Sequence, residues 1–223
     1  MKAPYIKFCG FTRPADAYAG VMLGADLIGL NFYAGSPRAV SYGLAIKIQE
    51  EVRRASKERA KKRVARTVAV LVNPDVEHVL GVLQHVKPDI LQFHGEEPPH
   101  FCRYFRHPFI KAIRMRSTAD ATTIEQYVGG YGIGFLVDAY SDAEYGGTGK
   151  VLSFSLAQAA MRLPRGFLAG GLSAKNVREV TRMLKPYGLD VASGIETRPG
   201  VKSHELMAEF VTEVKAGVRD ARP

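Results

Sequence analysis

Eight times along this chain a strand-length run of apolar, often β-branched residues is followed by a polar or glycine-bearing turn and then by a stretch with helical spacing. The runs are IKFC, DLIGLNF, TVAVLVN, DILQFH, FIKAIRM, GFLVDAY, GFLAGG and DVASG. Helices are expected to begin near Arg13, Ser41, Pro74, Glu97, Thr118, Ser153, Ser173 and Ser203, with Asn73 before Pro74 and Ser173 supplying capping chemistry. Strands that are apolar on both faces must be covered on both faces, and alternation with helices achieves this through parallel strands and crossover helices. Eight such units in 223 residues predict an α/β fold, a closed (β/α)8 TIM barrel, as a single domain over residues 1–223. An open doubly wound sheet would carry G-x-G-x-x-G after its first strand, where this chain reads GFTRPADA. The glycine-rich GGYGIGF around Gly130 precedes a strand, which is the wrong context for a dinucleotide.

The remaining bulk features narrow the class. A composition 46% hydrophobic and 24% charged is that of a globular chain, and no 18 apolar residues run together. The start, MKAPYIKFCG, lacks the apolar core of a signal peptide, so a cytoplasmic location and no membrane partner are expected. Net charge is +9, but residues 47–66 alone hold nine Lys and Arg against three Glu. That segment has no interleaved aromatics and no nucleic-acid motif, so it reads as the solvated face of a helix, with no nucleic-acid partner. Two cysteines, Cys9 and Cys102, give neither a disulfide framework nor C-x-x-C. No H-E-x-x-H occurs, and His100, Cys102 and His107 make no ligand set, so no metal is expected. The stretch DAEYGGTGK resembles a P-loop, but Glu144 stands at its first glycine and Val151 follows its lysine. It reads instead as a flexible rim after the sixth strand.

In a barrel of this type chemistry sits at the C-terminal ends of the strands. Polar residues there are Cys9, Asn31, Asn73, His94, Arg114, Asp138 and Ser193, with Arg38 in the loop after the second strand. Strand alternation puts Lys7 and Cys9 on one side, and a lumenal Lys7 is expected to lower the Cys9 thiol and make it a base; the alternative is a small buried hydrophobe. Cys102 reads as packing. Asp138, ending the apolar FLV, reads as a general acid raised by desolvation, or else as a barrel ion pair with Lys111 or Lys7. AGGLS and ASGIETRPG end the seventh and eighth strands, and their small residues suit either a phosphate cradle or plain tight turns. His94 reads as a substrate contact or as a hydrogen bond to a neighbouring strand.

Taken in order, K-x-C-G, S-P-R after the second strand, Q-x-H-G after the fourth, D-A-Y with G-G-T-G-K after the sixth, and AGGLSAKNV and DVASGIETRPGVKS make a specific set. Over essentially its whole length the chain resembles the phosphoribosylanthranilate isomerases of tryptophan biosynthesis. The resemblance implies an Amadori rearrangement of a phosphorylated small molecule without cofactor or metal, by a monomer or homodimer. It implies Asp138 as general acid and Cys9 as general base, with Arg38 on the anthranilate carboxylate. Gly170, Gly171, Ser193 and Gly194 would contact phosphate, and His94 and Asp190 complete the substrate-binding set. Asn31 stands where many members carry an apolar residue, and Ala192 where a serine is frequent. The histidine-pathway isomerase with the same chemistry uses paired aspartates, whereas the first strand here ends in Cys9.

Overall fold

A computed structural model describes residues 3–59, 63–115, 117, 120–138 and 154–221. Among these, eight parallel strands close into a barrel in chain order. They are β1 (Tyr5–Cys9), β2 (Leu27–Asn31), β3 (Arg66–Leu71), β4 (Ile90–Phe93), β5 (Phe109–Ile113), β6 (Gly132–Asp138), β7 (Gly166–Ala169) and β8 (Gly188–Val191). The helices that follow them are α1 (Pro14–Leu23), α2 (Tyr42–Glu58), α3 (Val76–His85), α4 (Pro99–Tyr104), α5 (Ala121–Glu125), α6 (Phe154–Met161), α7 (Ala174–Leu184) and α8 (His204–Asp220). A short hairpin, β9 (Glu196–Arg198) and β10 (Val201–Lys202), sits between β8 and α8.

Each strand divides its side chains between two cores, as the pleat requires. Ile6, Phe8, Ile28, Leu30, Phe93, Phe135 and Leu189 face outward into one layer with Val21, Ile48, Val79, Phe210 and Val214 of the helices. Leu27, Val68, Ile90, Ile110, Leu136 and Phe167 fill the barrel interior. Burying each large apolar side chain contributes about 1.5–3 kcal/mol. The closure is made by β1 and β8, in a register that sets Lys7 opposite Asp190.

Helix starts follow local chemistry. Ser41 and Ser203 cap α2 and α8 by accepting from Leu44 and Leu206 N–H. Ser173 is the cap residue of α7, where Asn176 Oδ1 accepts from its N–H. Asn73 does not cap α3: that position belongs to Asp75, which accepts from His78 N–H at 2.7 Å. Asn73 takes left-handed backbone (φ 46°), and its Oδ1 accepts from Glu96 N–H, tying the loop after β3 to the loop after β4. The basic helix α2 buries Ala45, Ile48, Gln49, Val52 and Ala55, one stripe at helical spacing, and turns Lys47, Arg53 and Arg54 to solvent. Arg54 bonds Glu51 and stacks over the Tyr18 ring at 4.0 Å. Cys102 is fully buried on α4, and burial pushes its thiol up to about 12. No helix among the described residues is long and apolar enough to cross a membrane. The expected rim, Asp142–Lys150, lies outside the described residues.

Candidate active site

The barrel mouth is built outward from β1. Ile6 and Phe8 belong to the outer layer, so alternation turns Lys7 and Cys9 into the barrel. Lys7, with no exposed surface, donates to Asp190 Oδ1 at 2.8 Å across the β1–β8 seam. Burial alone would lower the ammonium, but Asp190 and Cys9 hold it above its ordinary value. The expected depression of the Cys9 thiol is not found. Desolvation, opposed by Lys7 and reinforced by Asp190, leaves the thiol raised, because at this depth the lost hydration of a thiolate outweighs one shared ammonium. The sulfur itself needs a gap in β2. Gly29 is the register partner of Cys9, and a Cβ there would lie 2.7 Å from Sγ.

Three strands round the barrel from β1, Asp138 ends β6 with the inward parity of Leu136. Lys7 bonds Asp190, and Lys111 bonds Glu97 at 3.0 Å. Lys111 shares the outward parity of Phe109 and Ile113, and Glu97 also accepts from Asn73 and Gly95 N–H. Cys9, His94, Asp138, Gly170, Gly171, Asp190 and Ser193 line one cavity, with Asn31, Gln92 and Ala192. A second hollow, beside Arg114 and Tyr127, shares His94 and Asp138 with it. His94 N–H donates to the Leu71 carbonyl of neighbouring β3 at 2.8 Å, and its Nδ1 faces Gln92 Nε2 at 2.8 Å. That amide donates, so the neutral imidazole carries its proton on Nε2. Burial first, then Lys7, Lys111 and Arg114 against Asp190, lower His94 to about 4 and keep it neutral near pH 7. Gln92 Oε1 is buried without a hydrogen-bond partner among the described residues.

The glycine turns after β7 and β8 press together. Gly170 (φ 83°) and Gly171 (φ 57°) need left-handed backbone. A Cβ on Gly194 would lie 2.0 Å from the Leu172 carbonyl oxygen. Ser193 and Gly194 head a 3₁₀ turn (Ser193–Ile195), whose first N–H groups have no acceptor inside it.

Arg38 lies at the edge of this mouth rather than in its lining. Its stem crosses Gly10, where a Cβ would lie 2.3 Å from Arg38 Cδ; the glycine after Cys9 is therefore needed to bring the guanidinium beside the thiol. Arg38 Nε and NH2 donate to Glu196, at 2.9 Å and 2.6 Å for the shortest pair. Glu196 also accepts from Lys202 Nζ at 2.7 Å, and Lys202 in turn donates to the carbonyls of Cys9 and Ala192. Burial alone would raise the Glu196 carboxyl, but the bonds from Arg38 and Lys202 hold it below the usual range. Sequence reasoning missed Gln92, Glu196 and Lys202. The signal for the last two was the turn RPGV, which closes a hairpin that sets Glu196 opposite Lys202.

A family model for N-(5'-phosphoribosyl)anthranilate (PRA) isomerase matches residues 6–213. The chain is 39% identical over 214 residues to an N-(5'-phosphoribosyl)anthranilate isomerase of Halorhodospira halophila, covering 95% of this chain and 97% of that protein. Among solved structures, the phosphoribosyl anthranilate isomerase of Thermotoga maritima superposes with a TM-score of 0.76 at 33% identity, over 95% of this chain and 98% of that one. An enzyme of the same name in complex with reduced 1-(o-carboxyphenylamino)-1-deoxyribulose 5-phosphate gives a TM-score of 0.73 at 30% identity, with the same coverage. With the barrel, the ordered motifs and a match spanning nearly its full length, the chain belongs to the phosphoribosylanthranilate isomerase family.

Proposed function

We propose that the protein isomerises N-(5'-phosphoribosyl)anthranilate to 1-(2-carboxyphenylamino)-1-deoxyribulose 5-phosphate in tryptophan biosynthesis, with Asp138 as general acid and Cys9 as general base. The observation that carries this assignment is that both side chains line a single cavity, together with Asp190, the partner of buried Lys7. Asp138 in its acid form gives its proton to the ribose ring oxygen as the C1–O bond breaks. The anilino nitrogen supplies the electron pair and leaves a C1=N iminium. The Cys9 thiolate then takes the C2 proton, and the electrons of that bond move to the iminium, giving an enolamine. Return of a proton to C1 and loss of the C2 hydroxyl proton complete the ketone. C1 is reduced and C2 oxidised within one molecule, which makes the enzyme an intramolecular oxidoreductase.

The raised thiol is compatible with this order of events. A cationic iminium arriving beside Cys9 adds to the field of Lys7 and favours the thiolate at the step that needs it. Arg38, a planar fork, takes the anthranilate carboxylate. Neutral His94 offers Nε2–H, and Asp190 and the orphaned Gln92 Oε1 offer acceptors to the sugar hydroxyls. The turns at Gly170, Gly171, Ser193 and Gly194 present N–H groups to the phosphate, with which a related structure's ligand shares its chemistry. The chain works as one domain over residues 1–223, in the cytoplasm, as a monomer or homodimer. Loss of substrate fluorescence on turnover tests the roles: Cys9→Ser and Asp138→Asn should each lower kcat by at least about 10²-fold. Near-normal turnover by both variants would show that other groups move the protons.

A further inference from the structure

One buried carboxylate connects the two halves of the proposed site. Glu196, its side chain 3% exposed, accepts from Arg38 through both oxygens, from Lys202 Nζ and from Gly200 N–H. Through Lys202 it reaches the carbonyl of Cys9, and through Arg38 it reaches a guanidinium whose stem already lies on Gly10. Arg38 is fixed from the other side as well. Asn31 Nδ2 donates to Ser36 Oγ at 3.0 Å, and Ser36 Oγ accepts from Arg38 N–H at 3.2 Å. The described bonds of the Arg38 guanidinium use Nε and NH2, which leaves the NH1 edge of the fork for an incoming anion.

We propose that Glu196 is a positioning residue that clamps Arg38 at a fixed distance from Cys9, and that this clamp selects N-aryl substrates bearing an ortho carboxylate. The inference rests on the isomerase reading above and adds to it the element that sets aryl specificity. A lone arginine on a surface loop would follow the carboxylate wherever it bound. Arg38, anchored at its backbone and at Nε and NH2, instead places the aryl ring so that C1 and C2 lie at the thiol. Lys202 serves the other branch, holding the Cys9 carbonyl whatever the aryl group carries, so the two branches of Glu196 can be separated by substrate choice.

Steady-state kinetics with N-(5-phosphoribosyl)anthranilate and with N-(5-phosphoribosyl)aniline, which lacks the carboxylate, make that separation. The ratio of the two kcat/KM values reads the Arg38 branch; a loss common to both substrates reads the Lys202 branch. Glu196→Gln should lower the ratio by about tenfold, equivalent to about 1.4 kcal/mol, chiefly through a higher KM for the anthranilate substrate. Glu196→Asp keeps the charge but shortens the reach, and should lower the ratio in the same direction even where the amide variant folds poorly. An unchanged ratio in a folded variant, with wild type active on the anthranilate substrate, would overturn the clamp and leave the isomerase reading standing. Wild type inactive on that substrate would overturn both.

Discussion

The thiol of Cys9 occupies space that exists only because residue 29 lacks a side chain, and its arginine neighbour is reached only across Gly10. Two glycines, one within β2 and one just past the end of β1, thus decide where a base and an anion anchor can sit. The parity of Lys7 and Cys9 was legible in IKFC, since a lysine is disfavoured under the helices unless a buried carboxylate meets it there, as Glu97 meets Lys111. The sign of the thiol shift was not, because it is set by how deep the barrel mouth is and by Asp190, more than 180 residues away in the chain. Alkylation by iodoacetamide measures this at one residue. Cys102 is buried and held protonated to about 12, so Cys9 is the thiol that reports. Thiolate rises with pH, so a raised thiol predicts a half-maximal alkylation rate above the ordinary value of about 8.5. A midpoint below that value would mean that Lys7 outweighs desolvation after all.

At the scale of elements, the eight strands were readable because each is buried on both faces, and the helices because their apolar stripes meet one layer. The boundary of α3 was misread by two residues: Pro74 drew the cap to Asn73, whereas the cap is made by Asp75. A local pattern could not show that Asn73 was engaged elsewhere, bonded to Glu96 in another loop. Asp75→Ala should cost about 1 kcal/mol of stability by urea unfolding, with no change in m value, since only the cap to His78 N–H is lost. An unaltered midpoint would assign the helix start to Pro74 and the packing of Val79 and Val82. The hairpin of β9 and β10 was the element least visible in advance. It is two to three residues a side, and its purpose, setting Glu196 between Arg38 and Lys202, depends on a loop from the far end of the chain.

At the scale of the whole molecule, closure of the barrel is what turns sequence order into a site. Residues from β1, β4, β6, β7 and β8 reach one mouth only when β1 pairs with β8, and the Lys7–Asp190 bond lies on that seam. The same closure explains why some of the site was legible and some was not. Residues at strand ends could be nominated one by one from the alternation rule, whereas pairs such as Lys7 with Asp190, or Arg38 with Glu196, join positions separated by most of the chain. The central claim is that a thiol at the end of β1 and a carboxyl group at the end of β6 flank the same sugar carbons. A crystal structure of the protein with reduced 1-(o-carboxyphenylamino)-1-deoxyribulose 5-phosphate tests it most directly. The account predicts ligand C2 within about 3.5 Å of Cys9 Sγ, the Asp138 carboxyl on the opposite side of the chain of sugar carbons, and phosphate on the turns after β7 and β8. A ligand bound with its phosphate at Arg38, or with C2 turned away from the sulfur, would contradict it.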